Sequence, residues 1–187
     1  MSWKERHQQA ASVVLVLART GLRWSEARAL LVGDVELGEH PSVMVTKARP
    51  EGHTVSTTKS GKSRRVPLTA DVAEVLRGFA EGKCPDDLLM PPMHRSRLTQ
   101  QLAWAETSGE RTLHDLRHTA ICNWLRAGVD VATVREWAGH ADLVMTSRYT
   151  HYLGLAHDAL SIDKVNQLVS GINEAVGTSQ VHTASNF

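Results

Sequence analysis

The chain lacks the features that mark secreted and membrane-spanning proteins. Among its 187 residues are two cysteines, Cys84 beside a glycine and a proline and Cys122 in an apolar helical pattern, and nothing in their settings suggests a disulfide framework. The apolar run 10–18 is shorter than the about 20 residues that a membrane-spanning helix needs, and it lacks a small-residue cleavage site. We therefore expect a buried helix there, and a cytoplasmic protein with no membrane partner.

A large charge of one sign is also missing. The formal net charge is +1, whereas proteins that bind nucleic acid often carry a large positive balance. The charges are nevertheless unevenly distributed. Residues 47–65 hold six lysines and arginines against one glutamate, a balance of +5, and residues 151–187 hold one lysine against three acidic residues, a balance of −2. One basic face is therefore predicted around residues 47–65.

Hydrophobic periodicity and turn residues predict an α+β, mainly helical domain with a small three-stranded antiparallel sheet. Helices are expected over 5–19, from a cap at Ser25 to Leu31, from a cap at Thr69 to about Ala80, over 95–106, along a stripe from Leu113 to Trp124, over Val129–Ala138 and from about 142. Strands are expected over 42–47, 53–58 and 64–68, with a turn at 60–62.

The end of the chain carries a further pattern. Ile162, Val165, Val169, Ile172 and Val176 are spaced 3, 4, 3 and 4 apart, which predicts an amphipathic helix over about 155–176 that seeks a groove. The groove could belong to the same protomer or to a neighbour. We expect residues 1–176 to form one domain and residues 177–187 to be a disordered tail.

Several cationic and imidazole side chains recur in short motifs. Arg23 precedes a predicted helix start, Arg117 lies three residues after His114, and His140 follows the helix stop at Gly139. Two guanidiniums can clamp the oxygens of a phosphodiester by bidentate hydrogen bonds, while imidazoles can move protons or bind the oxyanion. This set favours phosphodiester chemistry without a metal or cofactor.

The remaining requirements are a nucleophile and a proton for the leaving oxygen. Tyr149 suits the first, and its only rival is Tyr152, because the chain has two tyrosines. Lys59 suits the second because it lies just before the predicted turn, although Lys62 and Lys47 are alternatives.

A zinc site is a competing interpretation of the helix after residue 113. His114 and His118 form a His-x-x-x-His spacing, but Asp115 stands where the metalloprotease motif needs Glu. We expect Asp115 to anchor a neighbouring loop and His118 to be a structural hydrogen-bonding residue.

Four segments, in order, resemble the motif boxes of tyrosine recombinases, the phage integrase family. They are Thr-Gly-Leu-Arg-Trp-Ser-Glu (20–26), Lys-Ser-Gly-Lys-Ser-Arg-Arg-Val-Pro-Leu (59–68), Leu-His-Asp-Leu-Arg-His-Thr (113–119), and Gly-His (139–140) followed by Tyr149-Thr150-His151. The resemblance runs from about residue 8 to residue 152. It departs from the family at Trp24, where a smaller aliphatic residue is usual, and we expect the family's N-terminal core-binding domain to be absent from this chain.

The resemblance implies a site-specific DNA recombinase that needs neither metal nor ATP. It implies that Arg23 and Arg117 bind the scissile phosphate, and that Lys59 protonates the leaving 5′ oxygen. It also implies that Tyr149 forms a 3′-phosphotyrosyl link, which a 5′ hydroxyl of a partner DNA then attacks.

The same resemblance implies that His114 assists proton transfer and His140 hydrogen-bonds the phosphate. The expected partners are double-stranded DNA at a specific core site and DNA-bending accessory proteins. We also expect the protein to form a homo-tetramer on DNA and to be weakly associated or monomeric when no DNA is bound. The setting is a bacterial or phage-infected cytoplasm. The basic segment is expected to contact backbone phosphates through Lys47, Arg49, Lys62, Arg64 and Arg65.

Two other functions are compatible with parts of the pattern. A type IB topoisomerase-like enzyme would use the same chemistry on one DNA molecule. A non-catalytic helix-turn-helix module over Val129–Tyr149 would bind the major groove, but it leaves Arg23, Lys59, His114 and Arg117 unexplained as a set.

Overall fold

A computed structural model describes residues 2–54, 56–57, 63–140, 162–163 and 166–167. The helices are α1 (Trp3–Thr20), α2 (Trp24–Ala27), α3 (Ala70–Ala80), α4 (Arg95–Gln101), α5 (Trp104–Thr107), α6 (Asp115–Arg126) and α7 (Val131–Ala138). The strands are β1 (Val35–Glu36), β2 (Ser42–Val45), β3 (Lys47–Ala48), β4 (Ser56–Thr57) and β5 (Arg64–Pro67). The mainly helical α+β fold is therefore confirmed.

Helix α1 is the central element of the fold, and its extent agrees with the predicted helix over 5–19. The Ser2 hydroxyl accepts from the backbone N–H of Glu5, and the Glu5 carboxylate accepts from the backbone N–H of Ser2, which forms a capping box. Gly21 ends the helix with a φ of 61°, a left-handed conformation that glycine adopts without strain. Helices α3, α4 and α6 all pack against α1.

The three-stranded antiparallel sheet exists, but its membership differs from the prediction. Its order is β1–β2–β5, with Val43 opposite Val66 and Val45 opposite Arg64. The prediction that residues 53–58 form a strand of this sheet is wrong, because β4 pairs with β3 in a separate two-stranded sheet. The side chains around β4 explain the difference: residues 53, 54 and 56 are exposed, whereas the valines of β2 and β5 are fully buried.

Three helix boundaries also differ from the predictions. Helix α2 begins at Trp24 rather than after Ser25, because the Glu26 carboxylate accepts from the backbone N–H of Arg23, and it ends at Ala27. The helix predicted over 95–106 is interrupted at Ala103, whose φ is 45°. Helix α7 begins two residues later than predicted because Asp130 caps it.

The buried apolar side chains form two clusters. The larger one lies between α1, α3 and the inner face of the three-stranded sheet, and the smaller one joins α6 to α7. Trp124 and Trp137 meet edge to face beside the smaller cluster, with ring centroids 5.5 Å apart. Cys84 is exposed, and Cys122 is half-buried.

Parts of several predictions lie outside the described residues: the turn at 60–62, the helix from about 142 and the tail 177–187. Residues 162–163 and 166–167 are helical, as the predicted terminal helix requires, and Ile162 exposes 55% of its surface. Within the described part of the chain, no helix is long and apolar enough to cross a membrane.

Candidate active site

The first arginine motif forms the turn between α1 and α2. Arg23 is the residue that caps α2, and its Nη1 donates to Glu26 Oε1 at 2.9 Å. About a third of the Arg23 side chain remains exposed, whereas Glu26 is buried. The next residue, Trp24, packs against the larger core, and its indole N–H donates to Glu51 at 3.2 Å. The large side chain at this position is therefore accommodated beside Arg23.

Arg117 connects the first motif to the last one. Its side chain is 3% exposed, and its Nη1 donates to the carbonyl oxygen of Gly21 at 2.6 Å. Its Nη2 donates to the carbonyl oxygen of Ala138, the last residue of α7. A single guanidinium therefore fixes the turn before Arg23 relative to the turn that carries His140.

The two predicted histidines lie in the same region of positive charge. His114 occupies the N-cap of α6, and His140 follows Gly139, whose φ of 65° ends α7 as predicted. Burial lowers the pKa of His140 from 6.5 to about 4, and the positive charges of Arg117 and Arg23 contribute to the shift. Burial likewise lowers the pKa of His114, and the same two arginines contribute. Both imidazoles are therefore favoured in the neutral form at pH 7.

The placement of Arg64 differs from the prediction that it contacts DNA. Arg64 is 7% exposed, and its guanidinium makes two hydrogen bonds to the Glu26 carboxylate, of 3.0 and 2.7 Å. Burial raises the pKa of Glu26, but hydrogen bonds and charge from Arg64 and Arg23 outweigh burial and lower it below its ordinary value. Arg64 therefore serves as the buried counter-ion of an ionised carboxylate, not as a surface cation.

The other predicted DNA-contacting residues have different settings. Lys47 and Arg65 are exposed, and Arg49 is half-buried. Arg65 Nε donates to the Ser42 hydroxyl at 2.8 Å, and the Arg49 backbone N–H donates to the Ser25 carbonyl at 2.7 Å. The first contact holds the Arg65 side chain against β2, and the second holds the backbone of Arg49 against α2. Lys62 lies outside the described residues.

Four predicted site residues are thus brought together: Arg23, His114, Arg117 and His140. Lys59 and Tyr149 lie outside the described residues, as do the alternatives Lys62 and Tyr152. Lys47, the other alternative to Lys59, is described and exposed. Sequence reasoning missed the role of Arg64. The signal was present, because Arg64 and Val66 occupy alternate positions of β5, Leu68 continues the alternation just after the strand, and all three are buried.

Two other polar residues of the motif over 113–119, Asp115 and His118, have structural contacts. Asp115 anchors the preceding turn, as predicted, because its carboxylate accepts from the backbone N–H of Thr112 at 2.6 Å and from the Thr112 hydroxyl at 2.8 Å. His118 packs edge to face on His114, with ring centroids 5.1 Å apart. Across the described ranges, no three His, Cys, Asp or Glu side chains are grouped as metal ligands would be.

Comparison with known proteins agrees with this geometry. Residues 4–154 match the profile of the phage integrase family, which includes the whole cluster of four residues. The chain belongs to this family. It is 30% identical to the tyrosine recombinase XerC of Roseiflexus sp. (strain RS-1), in a match that covers 91% of this chain and 56% of that protein. The integrase-family chain therefore spans about half the length of that relative.

Solved structures of the family have the same fold. The catalytic domain of bacteriophage HP1 integrase matches with a TM-score of 0.59 and 25% identity, over 81% of this chain and 79% of that domain. The XerH site-specific recombinase bound to its difH substrate matches with a TM-score of 0.60 and 21% identity, over 86% of this chain and 48% of XerH. The architecture is therefore that of a tyrosine recombinase catalytic domain.

Proposed function

We propose that the chain cleaves and rejoins DNA at a specific site, with Tyr149 as the nucleophile. The observation that carries the proposal is the convergence of Arg23, Arg117, His114 and His140 in one positively charged region. Arginines keep their charge at any working pH, so they suit a phosphate that gains negative charge in the transition state. The domain that performs this chemistry is proposed to comprise residues 1–176.

The proposed reaction is a transesterification without metal or ATP. The Tyr149 hydroxyl attacks the scissile phosphorus, a bond from its oxygen to phosphorus forms, and the bond from phosphorus to the 5′ oxygen breaks. Lys59 donates a proton to the leaving 5′ oxygen, and His114 accepts the proton of the tyrosine hydroxyl. Attack by a 5′ hydroxyl of a second DNA reverses these steps and releases Tyr149.

The electrostatics of His140 suit a hydrogen-bonding role. Burial and nearby arginine charges lower its pKa to about 4, so the free imidazole is neutral at pH 7. A neutral imidazole has one N–H donor, which can bind a phosphate oxygen. Because an anion opposes the effect of the arginines, a bound phosphate is expected to raise the pKa of His140.

The proposed partner is double-stranded DNA, and the Tn1549 transposon integrase, which has a similar fold, was solved in complex with transposon right end DNA. Lys47, Arg49 and Arg65, together with Lys62, are proposed to contact backbone phosphates. Arg64 is excluded from this set because its charge is paired with the buried Glu26 carboxylate. A tetramer assembled on DNA, DNA-bending accessory proteins and a cytoplasmic location complete the proposal.

The test is the capture of a covalent intermediate. A nicked duplex carrying the core site traps a 3′-phosphotyrosyl enzyme, because the short fragment released by cleavage diffuses away. We expect a slow-migrating protein–DNA band on a denaturing gel, lost in Tyr149→Phe and retained in Tyr152→Phe. Loss in Tyr152→Phe alone would assign the nucleophile to Tyr152. DNA binding without an adduct in the wild type would favour a non-catalytic binding module.

A further inference from the structure

Arg64 makes three hydrogen bonds with two separate parts of the candidate active site. Its Nη1 and Nη2 donate to the two oxygens of Glu26, at 3.0 and 2.7 Å. Its Nε donates to the carbonyl oxygen of Trp137, at 2.8 Å. The guanidinium is planar, and its three donor directions are fixed relative to one another. Arg64 therefore fixes the Glu26 carboxylate and the Trp137 carbonyl relative to each other.

The first partner leads to Arg23. Glu26 Oε1 accepts from Arg23 Nη1 at 2.9 Å, and Glu26 Oε2 accepts from the Arg23 backbone N–H at 2.8 Å. Each carboxylate oxygen is therefore shared between Arg23 and Arg64. Because Glu26 is 2% exposed, little water competes for these bonds, and a displacement of the carboxylate would be transmitted to Arg23.

The second partner leads to His140. The Trp137 carbonyl lies in the last turn of α7, three residues before His140. Gly139 lies against the same side chain, because a Cβ placed on it would lie only 2.9 Å from both Cδ and Nη1 of Arg64. The backbone that carries His140 therefore rests directly against the Arg64 side chain.

We propose that Arg64 is a positioning residue, which sets the position of Arg23 relative to His140 through Glu26 and the end of α7. This role rests on the proposed function, because it concerns the same phosphate site. It replaces a phosphate contact as the reason for an arginine at this position. Lysine offers a similar charge but no planar fork, so it cannot reproduce the three contacts together.

The first test separates the positioning role from a DNA contact. Affinity for a duplex of random sequence is measured over a range of salt concentrations for the wild type, Arg64→Lys, Arg64→Gln and Arg65→Gln. Losing one phosphate contact reduces the magnitude of the slope of log affinity against log salt by about 0.9. We expect that change in Arg65→Gln and an unchanged slope in both Arg64 variants. A drop in Arg64→Gln that equals the drop in Arg65→Gln would overturn the proposal.

The second test detects the positioning itself. The imidazole signals of His140, assigned by their loss in His140→Gln, are followed by NMR in the wild type, Arg64→Lys and Arg65→Lys. We expect the signals to shift in Arg64→Lys and to stay in place in Arg65→Lys, which makes the same chemical change on the opposite face of the strand. Unshifted His140 signals in Arg64→Lys would contradict the proposal. Loss of all folded signals in Arg64→Lys would show that Arg64 serves the stability of the whole domain. That result would also overturn the positioning proposal.

The third test measures the consequence for chemistry. On the nicked duplex at saturating protein, we expect Arg64→Lys to form adduct about 100-fold more slowly than the wild type, since small misplacements of reacting groups cost rates of this order. A wild-type rate in Arg64→Lys would refute the positioning role. Absence of an adduct in the wild type would instead refute the proposed function, and the NMR result would still decide the role of Arg64.

Discussion

Arg64 and Arg65 are consecutive residues of one type on one strand, yet they have opposite environments. Arg64 is 7% exposed and bonded to a buried carboxylate, while Arg65 is exposed and opposes Met44 on the outer face of the sheet. The alternation of a β-strand separates them, because successive side chains point to opposite faces. The comparison shows that the charge of residues 47–65 is not all surface charge.

The same division extends across the candidate site. The interior cations, Arg64 and Arg117, bond to protein oxygens and connect segments that are distant in sequence. The surface cations, Lys47 and Arg65, lie where a polyanion could approach. We therefore expect changes to the first group to affect folding and chemistry, and changes to the second to affect DNA affinity and its salt dependence.

The largest effect is expected from Arg117→Gln. The change removes donors to the Gly21 and Ala138 carbonyls, and each buried unsatisfied carbonyl costs about 1–3 kcal/mol. It also removes a group that we propose to bind the scissile phosphate, and loss of such a group costs about 100- to 1,000-fold in rate. Urea unfolding and the adduct assay measure the two effects. Arg126→Gln is the control, because Arg126 is exposed at the end of the same helix. Equal free energies of unfolding in the two variants would refute the interior role of Arg117.

The next effect is expected from Gly139→Ala. The left-handed φ of 65° costs an alanine about 1–2 kcal/mol. The added Cβ would also lie 2.9 Å from Arg64 Cδ, and overpacking of this kind costs about 1–3 kcal/mol more. Gly82→Ala isolates the backbone cost, because Gly82 has a φ of 72° and no atom near the added Cβ. The midpoint of thermal unfolding of Gly139→Ala should be well below that of Gly82→Ala. Equal midpoints would indicate that the Arg64 side chain moves aside for the added methyl group.

Only some of these features could be predicted from the sequence. The helix ends at Gly21 and Gly139 follow from local residue chemistry, and the structure has both. Thr69 occupies the N-cap position of α3 as predicted, but its hydroxyl donates to the Asp71 carboxylate and makes no capping hydrogen bond. The pairing of β2 with β5 rather than β4 could not be predicted, because it depends on which apolar faces meet in the core. The contact between Arg64 and Glu26 joins residues 38 apart, so the sequence indicated which face Arg64 occupies but not its partner.

A pH effect of intermediate size is expected from His140. Its pKa in the folded protein is lowered from 6.5 to about 4, so the unfolded chain binds a proton there that the folded chain does not. Stability should therefore fall as pH drops from about 6.5 towards 4, where the folded form also takes up the proton. Free energies of unfolding at several pH values should show a shallower decline in His140→Gln. An identical decline in both proteins would mean that other groups account for the acid sensitivity.

The smallest effect is expected from Arg65→Gln, and it tests the surface half of the comparison. Arg65 is anchored to the Ser42 hydroxyl at 2.8 Å and to the His40 carbonyl at 3.2 Å, so its guanidinium is held in place at the surface. If it neutralises one phosphate, the slope of log affinity against log salt should fall by about 0.9. Arg77→Gln is the control, because Arg77 is exposed on α3 and paired with Glu74. Equal slopes for the two variants would remove Arg65 from the DNA-binding face, and the basic segment would then act mainly through Lys47, Arg49 and Lys62.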